Sequence, residues 1–274
     1  MEFFNDSTVL ITGASSGIGR EFARQLASSA SNIVIAARRI ERLEELKSEI
    51  VAAHPDVNVF TYGIDLSQPS ELEGFLRWLA TNHPRIDLLI NNAGVGDHGP
   101  FSDASWSRIE PMLAVNISAL TRLTHALLPE MIRAGEGAIL NVSSVASLLP
   151  VPYLNVYAAT KAYVTSFSEG LRAELRGTNI SVTALCPGPV PTEFGQQATR
   201  PGEDDKFDMS TPDFISVDTA SVARCGLRAV AKDRARAVPG LAMFIGAIVL
   251  AILPIFFLRP FLNLSALKQR KKQS

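Results

Sequence analysis

Six short apolar runs limit what this chain can fold into more than any other feature. They fall at residues 8–12 (TVLIT), 32–36 (NIVIA), 57–62, 88–91, 138–142 and 181–185, and a segment long enough for a crossover helix separates each from the next. Strands joined through helices run parallel, and a parallel sheet must be covered on both faces. The spacing therefore predicts a doubly wound α/β architecture: a parallel sheet of about seven strands with helices on both faces. No internal linker divides the pattern, so residues 1–238 read as a single domain and residues 239–274 as an apolar helical extension with a basic tail. Residues 195–213 (GQQATRPGEDDKFDMSTPD) are polar and turn-rich, which predicts a mobile loop after a strand end instead of a packed element.

Composition narrows the partners. A chain of 274 residues that is 47% hydrophobic and 19% charged can bury a large core. Its formal net charge of −1 lacks the basic excess that meets a phosphate backbone, which argues against a nucleic-acid partner. Cys186 and Cys225 share no CxxC spacing and read as structural thiols of a reducing compartment. His54, His83, His98 and His125 are equally scattered, so the pattern offers no metal site. The N-terminal MEFFNDSTVLITGAS passes from polar residues straight into a strand, without the basic start and apolar stretch of an export signal, and predicts a cytoplasmic location.

Directly after the first run comes TGASSGIG, with glycines at 13, 17 and 19 ahead of a helical segment. Such a turn lets the backbone approach a pyrophosphate while the helix aims its N-terminal N–H groups at the anion, so the context predicts a dinucleotide site. The second run ends in AARR. Arg38 and Arg39 stand where an acidic side chain would receive the ribose hydroxyls of an unphosphorylated cofactor, and guanidinium groups suit a 2′-phosphate. This favours NADP(H) over NAD(H), the alternative being two solvated arginines at the start of a charged helix. Farther on, YLNVYAATKAY places three tyrosines and one lysine within residues 153–163. Only Tyr157 has a cation four positions on, Lys161, on the same helix face. A phenol titrates near ~10, and a neighbouring ammonium favours the phenolate that acid–base work at neutral pH requires. Taken alone, so short a pattern favours an ordinary surface pair over chemistry.

Taken together, the motifs point further. The TGASSGIG turn, NNAG at 91–94, Asn116, the serine pair at 143 and 144, Tyr157-x-x-x-Lys161 and Pro187-Gly188 occur in an order that resembles the classical short-chain dehydrogenase/reductase family from about Val9 to Phe194. The resemblance implies a Rossmann-like fold and hydride transfer between NADP(H) and a carbonyl or alcohol. It implies that Ser144, thirteen residues before Tyr157, bonds the substrate carbonyl in place of Ser143. By the same resemblance Tyr157 is the general acid in reduction and the base in oxidation, and Lys161 favours its phenolate and holds the nicotinamide ribose. Asn116 supports a water that relays protons to Lys161. The roles are physically consistent, because negative charge grows on the carbonyl oxygen as hydride arrives and two hydroxyl donors are aimed there.

For the cofactor the resemblance implies Gly13, Ser15, Ser16, Gly17, Ile18 and Gly19 in the turn, with Arg38, Arg39, Asp65 and Leu66 at the adenosine end. Asn92, Ala93 and Gly94 follow beside the adenosine ribose, although Asn92 and Gly94 could equally serve to fix a turn. Tyr157, Lys161, Pro187, Gly188, Val190 and Thr192 border the nicotinamide. Val95, Leu149, Val151, Tyr153 and Phe194, with Ser144, give an apolar substrate pocket, while Tyr163 reads as a packing residue. The reading is an NADPH-dependent reductase of a hydrophobic ketone, aldehyde or lipid-like substrate, reversible as an alcohol dehydrogenase. A 3-oxoacyl thioester reductase of lipid metabolism is the second enzyme reading, and a non-catalytic dinucleotide-sensing or membrane-tethered scaffold is the alternative of another class. The intact set of Asn116, Ser144, Tyr157 and Lys161 argues against that scaffold. Family analogy predicts a homodimer or homotetramer built on helices starting near Ser105 and Tyr157.

Residues 241–258 (LAMFIGAIVLAILPIFFL) carry no charge, and Arg259 and the basic LKQRKKQS follow. At ~1.5 Å per residue eighteen helical residues cover about 27 Å, short of a ~30 Å hydrocarbon core, and Pro254 interrupts the helix. Spanning is marginal, and three roles stay open to this segment: crossing or dipping into a membrane with the basic residues at anionic headgroups, a subunit interface, or a cover over the substrate pocket.

Overall fold

The computed structural model describes residues 4–83, 85–200, 216–252, 259–260 and 263. Seven strands form one sheet: β1 (Thr8–Thr12), β2 (Asn32–Ala37), β3 (Asn58–Gly63), β4 (Leu88–Asn91), β5 (Gly137–Val142), β6 (Ile180–Leu185) and β7 (Arg236–Ala237). Their order is β3-β2-β1-β4-β5-β6-β7, and every pairing is parallel. The six apolar runs coincide with β1 to β6 to within a residue at each end. β7 pairs only Arg236 and Ala237 with Ala184 and Leu185, which is too short to leave a periodic pattern in the sequence.

The strands are apolar throughout because each is buried on both sides. In β1, Val9 and Ile11 enter one core and Leu10 the other. Helices α1 (Gly17–Leu26), α2 (Ile40–Ala53) and α8 (Thr219–Ala231) close the first core with Phe22, Leu46, Val222 and Leu227. On the opposite face, α3 (Pro69–Asn82) and α5 (Leu120–Ala134) contribute Phe75, Leu79, Leu123 and Met131, with α6 (Asn155–Glu174) beside them. Each such side chain contributes about 1.5–3 kcal/mol when fully buried, so these two layers hold the sheet's strand ends in place.

Three further helices shape the end where the strands terminate: α4 (Trp106–Leu113), α7 (Glu193–Ala198) and α9 (Leu241–Ile252). The expected loop over 195–213 is corrected at its start, since residues up to Ala198 belong to α7 and Gly195, Ala198 and Arg200 are buried. Ion pairing at both ends of α7, described below, supplies what the polar sequence concealed. Residues 201–213 lie outside the described residues. So do residues 253–258 of the apolar stretch and the basic 264–274. Among the described residues no helix is long and apolar enough to cross a membrane.

Candidate active site

The strand order reverses between β1 and β4, and side chains from both diverging halves surround a crevice there. Thr12 and Asn92 tie the two strand ends together. The Thr12 hydroxyl accepts the N–H groups of Asn92 and Ala93, both at 3.1 Å, and the Asn92 amide donates to the carbonyls of Thr12 (2.9 Å) and Gly13 (3.1 Å). Asn92 thus fixes the glycine-rich turn with its side chain. Gly13 and Gly17 adopt φ of +68° and +56°, a left-handed conformation that a side chain disfavours. Gly19 acts differently, because a Cβ there would lie 2.4 Å from both Asn92 Nδ2 and the Gly13 carbonyl oxygen. It lets α1 close on the turn, a packing role beside the cofactor contact expected of it.

A cavity of about 520 Å³ occupies the crevice. The other expected cofactor positions all line it, from the turn through Arg38, Arg39, Asp65 and Leu66 to Pro187, Gly188, Val190 and Thr192. Asp65 is held by its own turn, accepting from the backbone N–H (2.9 Å) and hydroxyl (2.7 Å) of Ser67.

At the inner end of the cavity the Ser144 hydroxyl stands beside the Tyr157 phenol, where it favours the ionised form. The Ser144 hydroxyl accepts from the Ala146 N–H at 3.1 Å, which fixes its direction. Ser143 faces away, donating to the Lys161 carbonyl at 2.8 Å and sharing a 2.7 Å bond with Thr165. Lys161 is buried, with Nζ 5.8 Å from the centre of the Tyr157 ring, and donates to the Val142 carbonyl at 2.8 Å. Burial lowers its ammonium to about 8, with Cys186 opposing the shift. Burial also pushes the Tyr157 phenol up to about 12, and the Ser144 hydroxyl offsets only part of this. The ammonium is engaged with a carbonyl and desolvation is the larger influence on the resting phenol, which favours its protonated form.

Asn116 lies one layer behind, in a turn of π-helix, Ala114–Ala119, inserted between α4 and α5. Its side chain accepts the Val95 N–H at 3.0 Å and donates to the Val95 carbonyl (2.9 Å) and the Thr160 hydroxyl (3.0 Å). Thr160 in turn donates to the Tyr157 carbonyl at 2.7 Å. Asn116 is buried and outside the cavity wall, and Gly94 stands between it and Lys161. A Cβ on Gly94 would meet Lys161 Nζ at 3.2 Å and Asn116 Oδ1 at 3.4 Å.

Val95, Leu149, Val151 and Phe194 line the cavity as expected, and the Phe194 ring sits 5.2 Å from that of Tyr157. Tyr153 does not. It precedes α6 with φ +67°, and its ring stacks beside His98. Sequence reasoning missed Leu154, Pro111, Val115, Gln197 and the inner face of α9, where Met243, Gly246 and Ala247 complete the wall. It also missed a buried carboxylate, Asp97, that pairs with Arg108 (2.5 Å) and Arg200 (2.7 Å). Arg108 reaches on to the carbonyls of Gln197 and Ala198 and so secures the last turn of α7. Nothing in the local sequence marks this cluster: Arg108 is 11 positions from Asp97 and Arg200 is 103.

Comparison with known proteins agrees with this geometry. Residues 7–202 match the model of the short chain dehydrogenase family. The chain is 40% identical over 189 residues to a sulfoacetaldehyde reductase of Chromohalobacter salexigens, covering 68% of this chain and 73% of that reductase. Among solved structures, a short-chain dehydrogenase from Sphingobium yanoikuyae in complex with NADPH superimposes with a TM-score of 0.78 at 33% identity, over 88% of this chain and 92% of that one. A bulky-bulky ketone specific alcohol dehydrogenase from Comamonas testosteroni gives 0.74 at 29% identity, over 86% and 87%.

Proposed function

This chain belongs to the short-chain dehydrogenase family, and on that premise we propose that it is an NADP(H)-dependent oxidoreductase that reduces hydrophobic ketones and aldehydes, reversibly, to alcohols. The observation that carries the reading is the Ser144–Tyr157 hydroxyl pair, facing an apolar cavity with the Lys161 ammonium behind it.

Bound along the crevice, NADPH would supply the hydride. Arg38 and Arg39 at the end of β2 suit the 2′-phosphate, and the NADPH-bound relative supports the choice. The Ser144 hydroxyl donates to the substrate carbonyl, and Tyr157 gives its proton to the oxygen as negative charge develops there, leaving an alcohol and a phenolate. Lys161 stabilises that phenolate, and Asn116 with a water returns the proton through Lys161. A phenol near 12 suits this direction, because it stays protonated until an alkoxide stronger than itself forms.

The substrate class rests on the wall. Val95, Leu149, Val151, Leu154, Phe194 and Met243 offer apolar surface around two hydroxyl donors, which fits a bulky carbonyl better than an ionic one. The second enzyme reading, reduction of a 3-oxoacyl thioester, fits the same donors and the same wall. α9 favours the role of cover, since its inner face forms part of the cavity. Leu241, Phe244, Ile245, Ile248 and Val249 point outward from it, and contact with a membrane surface would use that side. Assembly into a homodimer or homotetramer is supported by exposed Trp106 on α4 and by the Tyr163–Phe167 stack on α6.

The test is NADPH consumption by the full-length protein over aliphatic, aromatic, steroid and 3-oxoacyl thioester carbonyls, with NADH in parallel. Turnover that prefers NADPH and bulky ketones supports the reading. Faster turnover with NADH removes the arginine argument, and turnover confined to thioesters selects the second reading.

A further inference from the structure

Glu193, the first residue of α7, is shared by two arginines of the segment that follows β2. Its carboxylate accepts from Arg39 at 2.8 Å and from Arg42 at 2.5 Å, and the same Arg39 guanidinium donates to the hydroxyls of Ser15 (3.2 Å) and Ser16 (3.1 Å). One arginine therefore joins three elements: the glycine-rich turn after β1, the end of β2 and the start of α7. The two walls also approach closely here, since a Cβ on Gly17 would lie 3.2 Å from Thr192 Cγ2. Arg39 lines the cavity, whereas Glu193 and Arg42 do not. Glu193 thus stands on the outer side of Arg39, where it can hold the guanidinium in place without touching what the cavity contains. Arg42 and Arg39 together keep the carboxyl below the usual carboxylate range, so the bridge stays ionised at neutral pH.

We propose that Glu193 is a positioning residue for the cofactor, closing a clasp with Arg39 and Arg42 over the dinucleotide channel so that NADPH leaves only when the clasp opens. The inference rests on the dinucleotide reading of the cavity and goes beyond it by assigning the release step. It divides the arginine pair into two tasks. Arg38 lines the cavity from an exposed position and has no side-chain hydrogen bond or ion pair among the described residues, which leaves it to meet the 2′-phosphate, while Arg39 is committed to the clasp. Because the clasp lies by the turn that cradles the pyrophosphate, it retains NADH and NADPH alike. Phe194 follows Glu193 directly and packs on Tyr157, so an opened clasp also loosens the wall beside the reacting carbonyl.

The experiment measures NADPH and NADH release by stopped-flow displacement from the full-length protein, for wild type, Glu193→Gln and Arg42→Gln. Arg42→Gln weakens the clasp from outside the cavity and leaves every cavity-lining residue in place. Partly exposed ion pairs of this kind are modest, so release of both cofactors is expected to be about three- to tenfold faster in each variant, with thermal midpoints nearly unchanged. Release at the wild-type rate in both variants would reduce the clasp to a surface ion pair and overturn the proposal. Slower release of NADPH alone in Glu193→Gln would mean that the carboxylate competes with the 2′-phosphate for Arg39, which also overturns it. A wild-type protein that binds neither cofactor would instead remove the dinucleotide reading beneath it.

Discussion

Lys161 directs its ammonium at the carbonyl of Val142, 2.8 Å away at the end of β5, and not at the phenol four residues before it on α6. The carbonyl gives a buried cation an acceptor, and burial still lowers it to about 8.

A pH dependence follows from that position. The value of kcat/KM for NADPH reports ionisations of the free enzyme, and in the proposed mechanism Lys161 is charged when it holds the nicotinamide ribose. This parameter should therefore fall as pH rises through about 8, while Tyr157, near 12, stays protonated over the same range. Lys161→Arg keeps the charge at every accessible pH, so its profile should lose the limb near 8 even if its plateau is lower. An unchanged limb would assign that ionisation elsewhere. Linkage gives the matching stability effect: the unfolded lysine, at 10.5, binds a proton that the folded one has released, so this group's contribution rises with pH between about 8 and 10.5.

Gly94 sits where Lys161 and Asn116 converge. A Cβ there would press on the lysine nitrogen at 3.2 Å and on the Asn116 oxygen at 3.4 Å, so one of the two must shift by a few tenths of an ångström. Gly94→Ala should lower kcat about tenfold or more, since small displacements of positioned groups are costly in rate, with the thermal midpoint changed by only a few degrees. Steady-state kinetics beside thermal unfolding separate this from general destabilisation.

How much was legible in advance depends on the range of the interaction. Val9, Leu10 and Ile11 announce a strand buried on both faces because the signal lies in consecutive residues. Gly13, Gly17 and the Tyr157–Lys161 pair are legible for the same reason, each motif fitting within one turn or two helical turns. Tyr153 lies near Tyr157 along the chain, but a left-handed backbone there sets its ring beside His98, a contact the local sequence does not announce. The crowding at Gly19 comes in part from Asn92, far along the chain, and is equally silent in the turn itself. Glu193 is 154 positions from Arg39, and Asp97 is 103 from Arg200, and no periodicity reports pairs at that range. Spacing also cannot carry the desolvation of the Tyr157 phenol, which is what pushes it up before substrate arrives.

Asp97 anchors the far end of α7, and its replacement should be costly. Burial pushes its carboxyl up, but hydrogen bonds from Arg200 and Arg108 outweigh this and hold it below its ordinary value. Asp97→Asn removes the buried carboxylate that both guanidiniums bind, one of them nearly buried itself, and should destabilise the fold by about 3 kcal/mol. Because the folded value is depressed, this contribution is complete above the unfolded aspartate range near ~4 and is lost as pH falls through the folded value. Thermal midpoints of wild type and Asp97→Asn should therefore differ most at neutral pH and converge in acid. A constant difference down to pH 2 would assign the effect to packing.

Met243 tests whether α9 is part of the site or merely lies near it. A Cβ on Gly188 would approach its terminal methyl to 3.1 Å, so the side chain rests directly on the Pro187-Gly188 segment beside the expected nicotinamide position. Met243→Ala removes a flexible apolar side chain from the cavity wall and leaves the catalytic hydroxyls untouched. Lost contact with a bulky substrate is worth about 1 kcal/mol, so KM for bulky ketones should rise about fivefold, while KM for a small aldehyde that never reaches Met243 stays the same. Equal effects on both substrates would place α9 outside the substrate wall and return the exposed Leu241, Phe244 and Ile245 face to a purely external role.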